Sequence, residues 1–376
     1  MKLFHLSDLH IGKRVCERSL IEDQKDIINQ IINNAEAQKP DAVMIAGDVY
    51  DRSVPSEEAV ALFDDFLYRL SEIGTSVLII GGNHDSQERI AYGGRIMHKS
   101  GIYIAPEFNR SNYEKIIEPV VLKDNYGEIN FYLLPFVTPA RVRAARENTC
   151  ASSYTEAVKA VIDDMDIDRS ERNILIAHQF ATGAETCDSE TFSVGGSDNI
   201  DAAVFDGFDY VALGHLHGPQ SVGKAAVRYS GTPLKYSFSE TNHKKSITVI
   251  DIENKGLVGI SEIPLDKPLH DWKVYKGKFE EIILNEKTDD YVKAVLTDDD
   301  EIFDAVNKLR EYFPNIMQLG FENNRGENEY TSAMLENVTS MTVPDLFAEF
   351  YLKQQGTELS ERQRKIVEDV FKEVTE

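Results

Sequence analysis

The chain is poor in cysteine. Its 376 residues include three, Cys16, Cys150 and Cys187, scattered and without CxxC spacing. That excludes a disulfide framework and a cysteine-built zinc module, and it fits a reducing cytoplasm. Long apolar runs are also missing, and none approaches the ~20 residues a helix needs to span a bilayer. Met1 leads directly into Lys2-Leu3-Phe4-His5-Leu6, too short a run for a signal peptide and without a small-residue cleavage site. Basic residues are scarce: 40 Lys and Arg stand against 64 Asp and Glu, a formal charge of −24. Nucleic-acid affinity comes largely from cations that neutralise phosphates. Such a chain is a poor lone DNA binder unless metal ions or a basic partner supply the attraction.

What is present is a soluble globular composition, 42% hydrophobic and 28% charged, long enough for two or three domains. One layout recurs. Val77-Leu78-Ile79-Ile80 reads as a buried strand, followed by Gly81-Gly82 and then Asn83-His84-Asp85. The strand Lys2–Leu6 runs into Ser7-Asp8-Leu9-His10. Ala42–Ala46 runs into Gly47-Asp48, and Asn173–Ala177 ends on His178. Tyr210–Leu213 runs through Gly214 to His215-Leu216-His217. Five of the nine histidines stand at these exits, where independent turns would not concentrate them. A donor set of carboxylate, amide and imidazole without sulfur suits two ions such as Mn²⁺, Fe²⁺ or Zn²⁺. A two-metal site can activate water and clamp a phosphate.

Periodicity places helices over Ser19 to Gln38, from Ser56 to about Gly74, over Glu88 to Ser100 and over Ser153 to Met165. Pro264 to Pro268 reads as a linker. Trp272 to Asn323 then reads as a small α+β domain ordered strand, strand, helix, strand. Val343 to Glu376 reads as helical. Leu346, Phe347, Phe350 and Tyr351 form one apolar stripe, and Ile366, Val367, Val370, Phe371 and Val374 form another. Gly218-Pro219-Gln220-Ser221-Val222-Gly223-Lys224-Ala225 nearly matches a P-loop. Ala225 replaces the hydroxyl residue that would bind Mg²⁺, so no ATP site is assigned.

Asp8-x-His10, Gly47-Asp48, Gly82-Asn83-His84-Asp85, His178 and Gly214-His215-x-His217 together resemble the motif set of the calcineurin-like metallophosphoesterases. The resemblance implies an α/β (α+β) fold: a β-sandwich flanked by helices, with a small α+β capping domain and C-terminal helices. It implies domains at residues 1–264, 265–335 and 336–376. Asp8, His10, Asp48 and His217 would hold one ion. Asp48, Asn83, His178 and His215 would hold the other, with Asp48 bridging. His84 would be catalytic, stabilising the phosphate and protonating the leaving oxygen.

Ser7–Gly12, Ala46–Asp51, His215–Gln220 and Tyr229–Leu234 are similar to one branch of the family, the nuclease subunits that act with an SbcC-type ATPase. That branch implies a Mn²⁺-dependent DNA endo- and exonuclease in DNA end and hairpin processing. It implies a cytoplasmic homodimer, through the helices after Ser56 and Glu88, with the C-terminal helices on the ATPase. Some relatives carry a His where Asp51 stands, and that contact is not transferred. Two alternatives are a small-substrate phosphodiesterase or phosphatase, and a non-catalytic scaffold.

Overall fold

The computed structural model describes residues 1–146, 149–190, 198–256, 258–298, 302–322, 347–348, 351–352 and 359–375. Two six-stranded sheets face each other. The first has the order Val258–Pro264, Ser246–Ile252, Lys2–Leu6, Ala42–Ala46, Ser76–Ile80, Ile102–Ile104. Its last four strands run parallel, and Ser246–Ile252 joins antiparallel. The second has the order Gln220–Val222, Lys224–Tyr229, Tyr210–Gly214, Arg172–His178, Gly127–Leu134, Val120–Asp124, parallel in the centre and antiparallel at both edges.

The apolar runs are continuous because both faces of each central strand are buried. Successive side chains go to opposite layers. In Ala42–Ala46, Ala42, Met44 and Ala46 enter the layer between the sheets, against Phe131, Ile174, Ile176 and Ala212. Val43 and Ile45 pack instead under the outer helices Ile21–Gln38 and Glu57–Ile73. Tyr154–Asp164 covers the second sheet with Ala157, Val158, Val161 and Ile162.

Helix boundaries follow local chemistry. The Ala59 amide donates to the Ser56 hydroxyl at 3.3 Å, and Gly74 closes that helix in a left-handed conformation. Ser153 and Glu156 form a reciprocal capping box. The expected helix over Glu88–Ser100 is instead broken into Gln87–Ile90, Gly94–Met97 and a 3₁₀ turn, His98–Ser100. Gly93, at φ 76°, takes a conformation no helix continues through.

The three-stranded sheet near the end of this body also departs from expectation. Its strands Trp272–Gly277, Tyr291–Leu296 and Ile316–Phe321 are all parallel. Parallel neighbours need crossovers, so the order is strand, helix, strand, helix, strand, with Phe279–Ile282 and Ala305–Arg310 between them. The first helix has four residues, too few to show a period. Leu296, Leu309 and Phe313 belong to its own core. Trp272 and Tyr291 bury against the main body, where the buried Asp23 carboxylate accepts from the Tyr291 hydroxyl at 2.7 Å and the His270 amide at 2.8 Å.

Residues 1–321 form one compact unit and 322–376 a second. In the second, Glu361–Thr375 is helical with Ile366 and Val370 exposed. Leu346 and Phe350 of the other expected stripe lie outside the described residues. The P-loop look-alike is a hairpin between Gln220–Val222 and Lys224–Tyr229. Among the described residues no helix is long and apolar enough to cross a membrane.

Candidate metal centre

The strand register aligns the exits at one rim. Leu6 pairs with Ile45, Ala46 with Ile80, and Gly214 with His178. Pairing continues past the strands: the Asp8 amide donates to the Gly47 carbonyl at 3.0 Å and the His10 amide to the Asp48 carbonyl at 2.9 Å. Asp8, His10, Asp48 and His215 all hold positive φ, an unfavourable conformation that the surrounding hydrogen bonds sustain. Two glycines are required by close approach. A Cβ on Gly214 would stand 1.9 Å from the Ala46 carbonyl oxygen, and one on Gly82 would stand 2.1 Å from Asp48 Oδ1.

The structure brings all eight expected residues together. Asp48 is central. Its Oδ2 lies 3.5 Å from His178 Nε2, 3.7 Å from His10 Nε2 and 3.9 Å from His84 Nε2. Its Oδ1 accepts from the His84 amide at 2.9 Å. Asn83 Oδ1 lies 2.9 Å from His178 Nε2 and 3.1 Å from His215 Nδ1. His10 Nε2 and His217 Nε2 face each other at 3.2 Å, and Asp8 groups with both. Asp8 also accepts from the His215 amide.

Tautomers sharpen the picture. His178 Nδ1 lies 2.8 Å from the Ala46 carbonyl and therefore donates there. A neutral ring then aims the Nε2 lone pair at Asn83 Oδ1, lone pair against lone pair. Such an arrangement is repulsive unless a proton or a cation lies between. Two donors bound to one ion at about 2.0–2.2 Å each stand roughly 3–3.5 Å apart, and most of these spacings agree. The residues therefore fit a pair of divalent cations.

The carboxylates and imidazoles also set one another's proton affinities. Burial, reinforced by Asp48, pushes the Asp8 carboxyl up to about 7 despite His178. Burial opposes a charge on His178, but the Asp48 carboxylate outweighs it and raises His178 to about 9. Burial likewise opposes ionisation of Asp48, yet His178 holds it well below the usual carboxylate range. Burial lowers His215 to about 3 and holds His10 well below the ordinary imidazole value.

A surrounding set of residues left, Asp85 apart, no mark in the local pattern. Asp85 accepts three backbone amides, from Gly82, Val49 and Tyr50, at 2.9–3.0 Å, and so ties the loop at Asp48 to the loop at Asn83. Gln24, on the first helix, donates to the His10 carbonyl at 2.8 Å and accepts from the Gly12 amide at 2.9 Å. Glu240 is fully buried, ion-paired with Lys245 at 2.6 Å, and accepts from the Ser189 hydroxyl at 2.6 Å. That hydroxyl lies 2.7 Å from His217 Nδ1. These contacts fix the orientation of the His10 and His217 segments, as outer partners do for metal-binding histidines. Only Asp85 had a signal, as the acid directly after Asn83-His84.

Comparison with known proteins agrees with this geometry. The profile of the calcineurin-like phosphoesterases matches residues 1–219, more than half the chain. The chain belongs to that family, whose members are hydrolases, and has its fold. A second profile, the type 5 capsule protein repressor C-terminal domain, matches residues 267–355. More particularly, the chain is 37% identical over 327 residues to the SbcD component of the nuclease SbcCD from Staphylococcus epidermidis, covering 85% of each sequence. Solved structures that match include a protein from Thermus thermophilus (12% identity, TM-score 0.37) and a dimetal phosphatase from Danio rerio (10%, TM-score 0.40). Each alignment covers 69% of this chain, and respectively 98% and 95% of theirs.

Proposed function

We propose that this chain is a metal-dependent DNA endo- and exonuclease that hydrolyses phosphodiesters with two divalent cations. The observation that carries the reading is the convergence of Asp8, His10, Asn83, His178, His215 and His217 around the single carboxylate of Asp48. Asp8, His10, Asp48 and His217 would hold one ion; Asp48, Asn83, His178 and His215 the other. Mn²⁺ suits this sulfur-free set. Bound ions of this kind supply Lewis acidity and an activated water.

The chain's own contribution is placement and proton handling. His84 is the most exposed of the imidazoles whose distance to Asp48 is given above, at 22% for its side chain. Its Nδ1 donates to the Asp51 carbonyl at 3.0 Å, which turns Nε2 inward. From there His84 can hold a phosphate oxygen and pass its Nε2 proton to the leaving oxygen. Asp51 itself pairs with Lys13 at 2.8 Å.

The name of the Staphylococcus relative, a component of SbcCD, supports an SbcC-type ATPase as partner, docked through the C-terminal helices. The second matched profile supports the same reading. The partner would supply the DNA surface an acidic chain lacks. We further assign residues 1–264 to the nuclease domain, 265–335 to a DNA-positioning cap and 336–376 to partner docking. A homodimer and a cytoplasmic setting complete the proposal.

The test is cleavage of single-stranded and hairpin DNA with Mn²⁺, with and without the partner. Asp48→Ala is expected to lose both metal and cleavage. His84→Ala is expected to keep its metal and to cleave about 10²–10⁴-fold more slowly. Hydrolysis of a small chromogenic diester alone, with no DNA cleavage, would refute the nuclease reading.

A further inference from the structure

Cys187 lies beside the centre but takes no part in it. Its sulfur, a His217 ring nitrogen and a Glu240 carboxylate oxygen all fall within 4.8 Å of one another, and His217 Nδ1 lies 3.5 Å from Glu240 Oε1. His217 and Glu240 are buried and Cys187 is half-buried. One atom already marks the point of convergence: the Ser189 hydroxyl oxygen lies 3.2 Å from the Cys187 sulfur, 2.7 Å from His217 Nδ1 and 2.6 Å from Glu240 Oε1. A group at that point touches all three donors. Thiolate, imidazole and carboxylate make a softer set than the one around Asp48, and such sets select Zn²⁺ or its congener Cd²⁺.

We propose that Cys187, His217 and Glu240 form a second cation site, for a thiophilic divalent ion, which silences the enzyme by withdrawing His217 from the catalytic centre. A neutral imidazole has one proton and one ring lone pair. When Nδ1 donates to Ser189, the lone pair is on Nε2, facing His10. An ion on the Cys187 side needs that lone pair on Nδ1. The ring proton then moves from Nδ1 to Nε2, the thiol proton goes to solvent, and Ser189 swings out. His217 can serve one ion or the other, so the soft ion and the first catalytic ion compete. The inhibitory half rests on the nuclease reading; the binding half does not.

The experiment uses the full chain, stripped of metal by chelation and titrated with Cd²⁺ alone. The readout is thiolate-to-cadmium ultraviolet absorption. Wild type is expected to show a tight component that Cys187→Ser and Cys187→Ala both lose, while Cys16 and Cys150 remain in all three proteins. In Mn²⁺-supported cleavage, Zn²⁺ is expected to inhibit wild type, excess Mn²⁺ to relieve it, and either variant to need roughly tenfold more Zn²⁺. Identical absorption titrations in wild type and both variants would overturn the site. Equal Zn²⁺ inhibition, or inhibition that Mn²⁺ leaves unrelieved, would overturn the competition. If no protein cleaves DNA, the nuclease reading fails while the absorption still decides the site.

Discussion

At the scale of single residues, protons and cations contend for the same lone pairs. His178, raised to about 9, and Asp8, raised to about 7, must both lose protons before they can ligate. Metal binding is therefore expected to release protons and to strengthen as pH rises through that range. Isothermal titration with Mn²⁺ in two buffers of different ionisation enthalpy, at several pH values, checks this. An affinity flat with pH would contradict it. Gly214→Ala drives a Cβ into the Ala46 carbonyl and toward His178 Nδ1. Loss of metal loading is expected, read by metal analysis of the folded variant. The candidate ligand residues were legible in the sequence because each stands a short step past the end of an apolar run, so burial of the strand fixes its position. Ser189 and Glu240 were not legible. They act by touching His217 from 28 and 23 positions away, and such contacts arise from packing rather than from any local pattern.

At the scale of elements, the loops after the strands matter more than the strands themselves. Asp85 joins the loop at Asp48 to the loop at Asn83 by taking three amides onto one carboxylate. Asp85→Ala leaves two buried N–H groups and one partly buried one without an acceptor, and the expected cost is roughly 3 kcal/mol. Chemical denaturation reads the loss, and metal affinity should fall with it. Asp85→Asn, which keeps one acceptor oxygen, is expected to lose less. The capped helices were readable because Ser56, Gly74 and Ser153 announce their ends through backbone chemistry. The break at Gly93 and the four-residue Phe279–Ile282 helix were not. A helix that short carries no period, and the parallel pairing that demands it becomes visible only once the strands are arranged.

At the scale of the whole molecule, a chain of charge −24 is steadied by specific ion pairs. Arg172 grips Asp124 with two nitrogens at 2.6 and 3.0 Å. Arg172 holds Asp124 well below the usual carboxylate range despite partial burial. Glu240 is also depressed, where Lys245 and His217 overcome a large burial penalty. A carboxylate whose folded value is lowered contributes stability above its unfolded value, near pH 4, and that contribution fades as pH falls further. The thermal midpoint is therefore expected to drop progressively as pH falls from about 5 toward about 2, with a shallower slope in Asp124→Asn. A midpoint independent of pH across that interval would contradict the assignment. The shared rim of the two sheets has one more consequence. Asp8 is made early and His215, whose amide it accepts, 207 residues later, so the Asp/His cluster is incomplete until most of the chain has left the ribosome. Long-range closure of this kind is slow. It also acts as a safety catch: a product released before His215 and His217 are made carries only a fragment of the cation-binding cluster.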